Sequence, residues 1–164
     1  MSRVDVYHLT RCVHLPMIEE EGLRTRADLS GMLGPIDEFD VAATGTFAKG
    51  KRVSGWVSRD HAVGQADVLG PGLVSWSVDA NKAVANTASR RAELEPAAYW
   101  DEVRPLAAWI ADGDLPEDLE VHVNVGVRAK FVSLLAPLAT DEQLGDYAPL
   151  VAAVADEDRL SPRP

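Results

Sequence analysis

Leu119-Glu120-Val121-His122-Val123-Asn124-Val125 is the stretch on which the fold turns. Apolar and polar residues alternate strictly, which is the two-residue period of a β-strand. Val121, Val123 and Val125 point one way, and Glu120, His122 and Asn124 point the other. Working outward, Val4–Thr10 (Val-Asp-Val-Tyr-His-Leu-Thr) is a second strand, rich in β-branched and aromatic types. Its alternation puts Val4, Val6, His8 and Thr10 on one face and Asp5, Tyr7 and Leu9 on the other. Residues 53–58, 73–79 and 129–135 read as three more strands.

The segments between them read as helices. A short helix is expected at about 15–21, with Pro16 in its first turn and Gly22-Leu23 as its stop. Residues 24–52, with four glycines, read as a long loop with one helical turn. Ser58 or Asp60 caps a helix over about 60–69, ended by Gly70-Pro71-Gly72. Residues 80–92 are ambiguous and read as helical and solvent-facing. Pro96 opens a helix to about 111, which Pro105 should kink or split. Thr140 with Gln143 forms a capping box for a last helix, with Leu144, Tyr147, Val151 and Val154 as its stripe. The class is α+β, in one domain over residues 1–155 with a polar tail at 156–164.

Composition narrows the function. The chain has 164 residues and 46% apolar content, enough for one ordinary core. One cysteine, Cys12, excludes an internal disulfide and fits a cytoplasmic protein. The first residues hold no apolar run of signal-peptide length, and no long apolar stretch suggests a membrane span. The formal net charge is −10, which opposes attraction to phosphate backbones, so a nucleic-acid partner is not expected. A small-molecule or protein substrate fits better. Lys49, Lys51 and Arg52 form the densest basic cluster, either a solvated loop or a phosphate contact.

Two strands carry chemistry-bearing side chains. The Glu120–His122–Asn124 face is either half-solvated or lines a cleft. His8 and Thr10 share a face with Val4 and Val6, at the end of a buried surface. A lone histidine there is either a hydrogen-bonded core residue or part of a site, and a converging partner would decide.

The quoted motifs resemble a known superfamily. Tyr7-His8-Leu9-Thr10, then His14-Leu15-Pro16-Met17-Ile18, then Glu21-Gly22-Leu23, look like the opening of ADP-ribosyltransferases. They are most similar to the DNA-targeting ADP-ribosyltransferase toxins and the rifamycin ADP-ribosyltransferases. Trp56-Val57-Ser58 resembles their aromatic-x-Ser step from strand to helix, with tryptophan where tyrosine is common. Leu73–Asp79 fits their next core strand, and Glu120 onward resembles the late strand carrying the catalytic glutamate. The likeness spans residues 5–135 as scattered short motifs. An arginine used by the toxins has no secure counterpart, with Arg52 and Arg59 as candidates.

The resemblance implies a split, mostly antiparallel sheet with flanking helices, and NAD as substrate. It implies transfer of ADP-ribose, or hydrolysis of NAD, with a small-molecule or protein acceptor. Glu120 would stabilise the cation-like ribose or deprotonate the acceptor. His8 would bond ribose hydroxyls or nearby oxygens, with Thr10 assisting. Tyr7 and Trp56 would line the cofactor site, Trp56 by stacking on nicotinamide. Ser58 would hold that ring or simply cap its helix.

Two alternatives stay open: a non-catalytic nucleotide- or ligand-binding module, and a metal-dependent enzyme. The second would use Glu120 and His122 with His8 or His61. No cysteine pair or His-Glu-x-x-His accompanies them, so no metal is expected. A hydrolase elbow, Gly-x-Ser-x-Gly, is absent. On the leading reading, His8 and Glu120 face one cleft.

Overall fold

The computed structural model describes residues 3–113 and 115–135. Seven strands form one antiparallel sheet: β1 (Arg3–Thr10), β2 (Val53–Trp56), β3 (Gly72–Asp79), β4 (Val84–Thr87), β5 (Arg104–Pro105), β6 (Leu119–Val123) and β7 (Val132–Leu134). Their order across the sheet is β5-β4-β6-β2-β1-β3-β7. The α+β class read from the sequence is therefore the class of the fold. The helices are α1 (Leu15–Glu21), α2 (Ser30–Leu33), α3 (Glu38–Val41), α4 (Arg59–Val63), α5 (Ala66–Leu69), α6 (Ala88–Glu93), α7 (Pro96–Glu102) and α8 (Leu106–Ala111).

α1 has the expected bounds. Its stop is Gly22, whose φ of 81° suits only glycine and whose N–H donates to the Ile18 carbonyl. A Cβ there would lie 2.0 Å from the Val127 carbonyl oxygen, because Leu23 and Val127 bridge as an isolated β pair. Residues 24–52 hold more structure than a loop: α2, α3 and a 3-10 stretch over Gly45–Gly50. The helix expected over 60–69 breaks into α4 and α5 at Gly64. The one opened by Pro96 breaks at Pro105, where a two-residue strand intervenes. The reading of residues 80–92 as solvent-facing helix holds in part: Ala80–Lys82 is a 3-10 turn and α6 starts at Ala88. Between them lies β4, which pairs with β6 and buries Ala85 and Asn86. The 129–135 strand narrows to β7 after a 3-10 turn. The last helix, from Thr140, and the tail lie outside the described residues.

The sheet is covered on both faces. On one face Val6, Val53, Val74, Trp76, Val121 and Val123 pack with Leu15 and Ile18 of α1 and Leu106 of α8. On the other, two smaller clusters form. Phe39 of α3 packs with Tyr99 and Trp100 of α7, and Leu9 and Leu73 pack with Ala62 of α4. All five residues of β6 are consequently buried.

The junction between β1 and β2 positions the site. β1 pairs with β3 over its whole length, but with β2 at the single Cα pair Tyr7–Trp56. Gly55 allows that close approach, since a Cβ would stand 2.6 Å from both the Tyr7 carbonyl oxygen and Val6 Cγ1. Beyond Tyr7 the two strands have no registered pairs. The seven strands nonetheless form one sheet across this junction.

Candidate functional site

A cavity of about 310 Å³ opens where β1 and β2 part. β1 contributes His8, Leu9 and Thr10, and β2 with its approach contributes Arg52, Val53 and Ser54. The remaining wall comes from α1, its stop at Gly22-Leu23 and the segment through α2. Apolar lining comes from Met17, Ile18, Leu23, Leu29, Met32 and Leu33. Four arginines line it (Arg11, Arg24, Arg26 and Arg52), together with His14, and among the described residues no carboxylate does. In a chain of net charge −10, that concentration of one sign defines a local field that favours anions.

His8 spans the gap. Its Nδ1–H donates to the Ser54 carbonyl at 2.7 Å. Burial pushes its pKa below the usual histidine value, Arg52 adds to this, and the Ser54 bond opposes it. The ring is therefore neutral near pH 7, and Nε2 carries a lone pair that can accept from a ligand hydroxyl or amide. His14 is also lowered, by burial and then by Arg11.

Glu120 occupies a different place. Residues directly opposite each other in an antiparallel pair share a face. Tyr7 faces Trp56, and Trp56 faces Glu120, so these three point the same way. His8, one residue on, points to the other face with Val6 and Val121. The expectation of one cleft for His8 and Glu120 does not hold in this geometry. Each strand's alternation was legible alone, but their relative parity depends on register.

On its own face Glu120 is 5% exposed. Arg91 Nη1 donates to both its oxygens at 3.0 Å, and the Tyr99 hydroxyl donates to Oε1 at 3.3 Å. His122, 0% exposed, has its Nε2 2.8 Å from the Tyr99 oxygen and its Nδ1 2.6 Å from Ser54 Oγ. Arg52 donates from Nη1 to Ser54 Oγ at 2.6 Å and from Nε to Asp40 Oδ1 at 2.5 Å. Burial holds His122 down at about 4, although Glu120 pulls the other way. With His122 neutral, one direction of donation satisfies every member: Arg52 to Ser54, Ser54 to Nδ1, Nε2–H to Tyr99, and Tyr99 to Glu120. Burial alone would raise the Glu120 carboxyl, but His122, Arg91 and Arg52 outweigh it and hold it below its usual range. Only Arg52 and Ser54 of this network also line the cavity.

The other sequence candidates divide between these regions. Thr10 lines the cavity with His8. Tyr7 and Trp56 pack against Leu9, Leu73 and Ala62 on the Glu120 face, and the Trp56 ring lies 5.6 Å from His61. Ser58 Oγ accepts from the His61 N–H at 3.1 Å and caps α4. Among the described residues no group of three or more metal-ligating side chains is assembled, and both His122 nitrogens are occupied. Of the two candidate arginines, Arg52 lines the cavity and Arg59 opens α4. Arg26, Arg91 and Tyr99 were not singled out from the sequence. Arg24-Thr25-Arg26, directly after a helix stop in an acidic chain, was the available signal for the first.

No family model matches this chain, and no curated protein does. Among solved structures it is similar to EcPltA, at 11% identity over 80% of this chain and 72% of that one, with a TM-score of 0.33. A likeness that slight leaves the argument with the residues. Among the described residues no helix is long and apolar enough to cross a membrane.

Proposed function

We propose that the chain binds NAD in the His8 cavity and cleaves its bond to nicotinamide, passing ADP-ribose to water or another acceptor. The fold would then be of the ADP-ribosyltransferase type, with the β1–β2 junction as its split. The observation that carries this reading is the lining of the cavity: His8 and Thr10 beside four arginines, with no carboxylate among the described residues. A neutral His8 offers an acceptor to a ribose hydroxyl, and the apolar wall suits a flat ring. In the reaction the bond between ribose C1′ and the nicotinamide nitrogen breaks, and the nitrogen keeps the electron pair. The acceptor closes on C1′ and loses its proton to solvent water. Glu120 lies on the opposite face, bonded to Arg91 and Tyr99, so any effect it has on the reaction runs through the Ser54 and Arg52 contacts of its network.

A second reading, a non-catalytic binding module, is favoured by one observation. Glu120 is saturated by Arg91 and Tyr99 and does not line the cavity.

One experiment separates them: calorimetric titration with NAD alongside a turnover assay, for wild type and Glu120→Gln. The expected result is NAD binding by both proteins, with turnover lower in the variant. Binding without turnover in wild type establishes the module. Absence of NAD binding by wild type removes the leading reading.

A further inference from the structure

Apolar side chains are not spread evenly over the surface. Among the described residues nine of valine size or larger are exposed. Met32, Leu33 and Leu69 of these line the cavity. Val13 sits in the chain between Arg11 and His14, and Val68 directly precedes Leu69. Five of the nine are therefore on the cavity lining or within one residue of it. Val68 is 82% exposed and Met32 54%. A single exposed apolar residue needs no explanation, but a group of them around one opening marks a surface that a partner can cover.

Three elements bring the group together. Val13 is in the 3-10 turn Cys12–His14 between β1 and α1, Met32 and Leu33 are in α2, and Leu69 ends α5. Neither α2 nor α5 has a fully buried residue, so their apolar side chains are not spent on the core. Charge at the same opening has one sign. Arg11 and Arg24 line the cavity and are exposed, with His14 beside them. The carboxylate recorded near this pair is Glu21, 3.7 Å from Arg24, in an exposed contact that solvent screens.

We propose that the rim of this cavity is a docking surface for a protein partner whose contacting segment combines acidic with apolar residues. Its acidic side chains meet Arg11 and Arg24, and its apolar ones cover Val13, Met32, Leu33, Val68 and Leu69. Methionine among them suits a surface that adapts to what it meets. Other occupants fit less well. Anionic lipid surfaces are recognised by clusters of about four to eight cations, whereas this rim has two exposed arginines in a chain of net charge −10. Nucleic acid meets the same repulsion. A small molecule held within about 310 Å³ leaves Val13 and Val68, which are outside the lining, uncovered. The surface does not depend on what the cavity binds. That the partner is the acceptor of ADP-ribose, held with one side chain over the opening, rests on the NAD reading above.

The test selects short random peptides displayed on phage against the immobilised full chain. Enriched sequences are synthesised with a fluorescent label, and their binding is followed by anisotropy without NAD. The expected result is enrichment of peptides that carry both acidic and apolar residues. Their affinity should fall at least about fivefold in Met32→Ser with Leu33→Ser, and in Arg11→Ala with Arg24→Ala. All four positions are exposed, and melting curves confirm that both variants are folded. Val41→Ser, exposed on α3 and outside the cavity, should bind as wild type does. Absence of enrichment overturns the proposal, as does selection of basic or purely apolar peptides, or binding that both rim variants retain. Binding to phosphatidylserine vesicles that the same variants lose would give the rim to a membrane. A dimer in sedimentation that Met32→Ser with Leu33→Ser dissociates would give it to a second copy. Either result overturns the proposal. Peptide binding by a protein that does not bind NAD would leave the surface standing and remove the NAD reading. NAD cleavage without peptide enrichment would do the reverse.

Discussion

On one face of the sheet, Glu120 and His122 are buried and each of their polar side-chain atoms has a partner. At the β1–β2 junction, Arg26 holds a buried nitrogen with none. The first arrangement reaches its low energy within the chain. The second has a donor that the described residues leave waiting. A buried polar network that is complete rigidifies a core. Of the two regions, the more conspicuous in the sequence is therefore the one more fully accounted for by structure.

The largest expected effect breaks the complete region. Asp40 is 1% exposed and holds Arg52, which in turn lies over the Phe39 ring at 5.0 Å and donates to Ser54. Asp40→Ala leaves that arginine without its counter-charge. Loss of one partner from a buried pair costs about 3–5 kcal/mol. Urea unfolding should show a loss in this range. A loss below about 1 kcal/mol would mean that the network does not hold the two helices and strands together.

pH gives a smaller effect with a definite sign. His122 faces Ser54, Tyr99 and Glu120, with Arg52 and Arg91 adding positive charge. Its folded pKa of about 4 lies below the ordinary value of 6.5. Between those values the unfolded chain binds the proton and the folded chain does not. Stability is therefore complete above about pH 6.5 and falls as pH drops toward 4. The full loss is on the order of 3 kcal/mol, at about 1.4 kcal/mol per pKa unit. His8 and His14, also lowered, act in the same direction. Unfolding measured at a series of pH values checks this. His122→Asn should flatten the slope, and an unchanged slope would place the titration elsewhere.

The sequence revealed some of this and hid the rest for physical reasons. Strand alternation is local, so β1, β3 and β6 were legible from their own residues. β4 was not, because Val84-Ala85-Asn86-Thr87 has weak strand propensity and is made a strand by its neighbours β5 and β6. The polar face of β6 could be read as solvent-facing or cleft-lining. Phe39, Tyr99 and Trp100, supplied by distant helices, seal it instead. Tyr7 and Glu120 share a face, and His8 does not join them, because the single Tyr7–Trp56 pair fixes the parity. No single strand contains that information.

The smallest effect on stability sharpens the contrast, because it falls in the region where charge is left over. Arg11 lines the cavity, is exposed, and has no recorded carboxylate partner among the described residues. Arg11→Ala should change unfolding free energy by no more than about 0.5 kcal/mol, as surface substitutions usually do. Its electrostatic effect should still be visible at His14, whose pKa burial lowers first and Arg11 lowers second. Removing the cation should let that pKa rise part of the way back, since burial remains. NMR titration of the His14 ring would measure the rise. The same variant should weaken binding of an anionic probe in the cavity, more at low salt than at high, because an exposed charge acts through solvent that ions screen. If Arg11→Ala destabilised the fold as strongly as Asp40→Ala, the positive charge at the cavity would be structural, and the contrast between the two regions would fail. If it left stability, His14 and anion binding all unchanged, Arg11 would stand apart from the field of the cavity, and Arg26 would carry that field with fewer partners than its lining suggests.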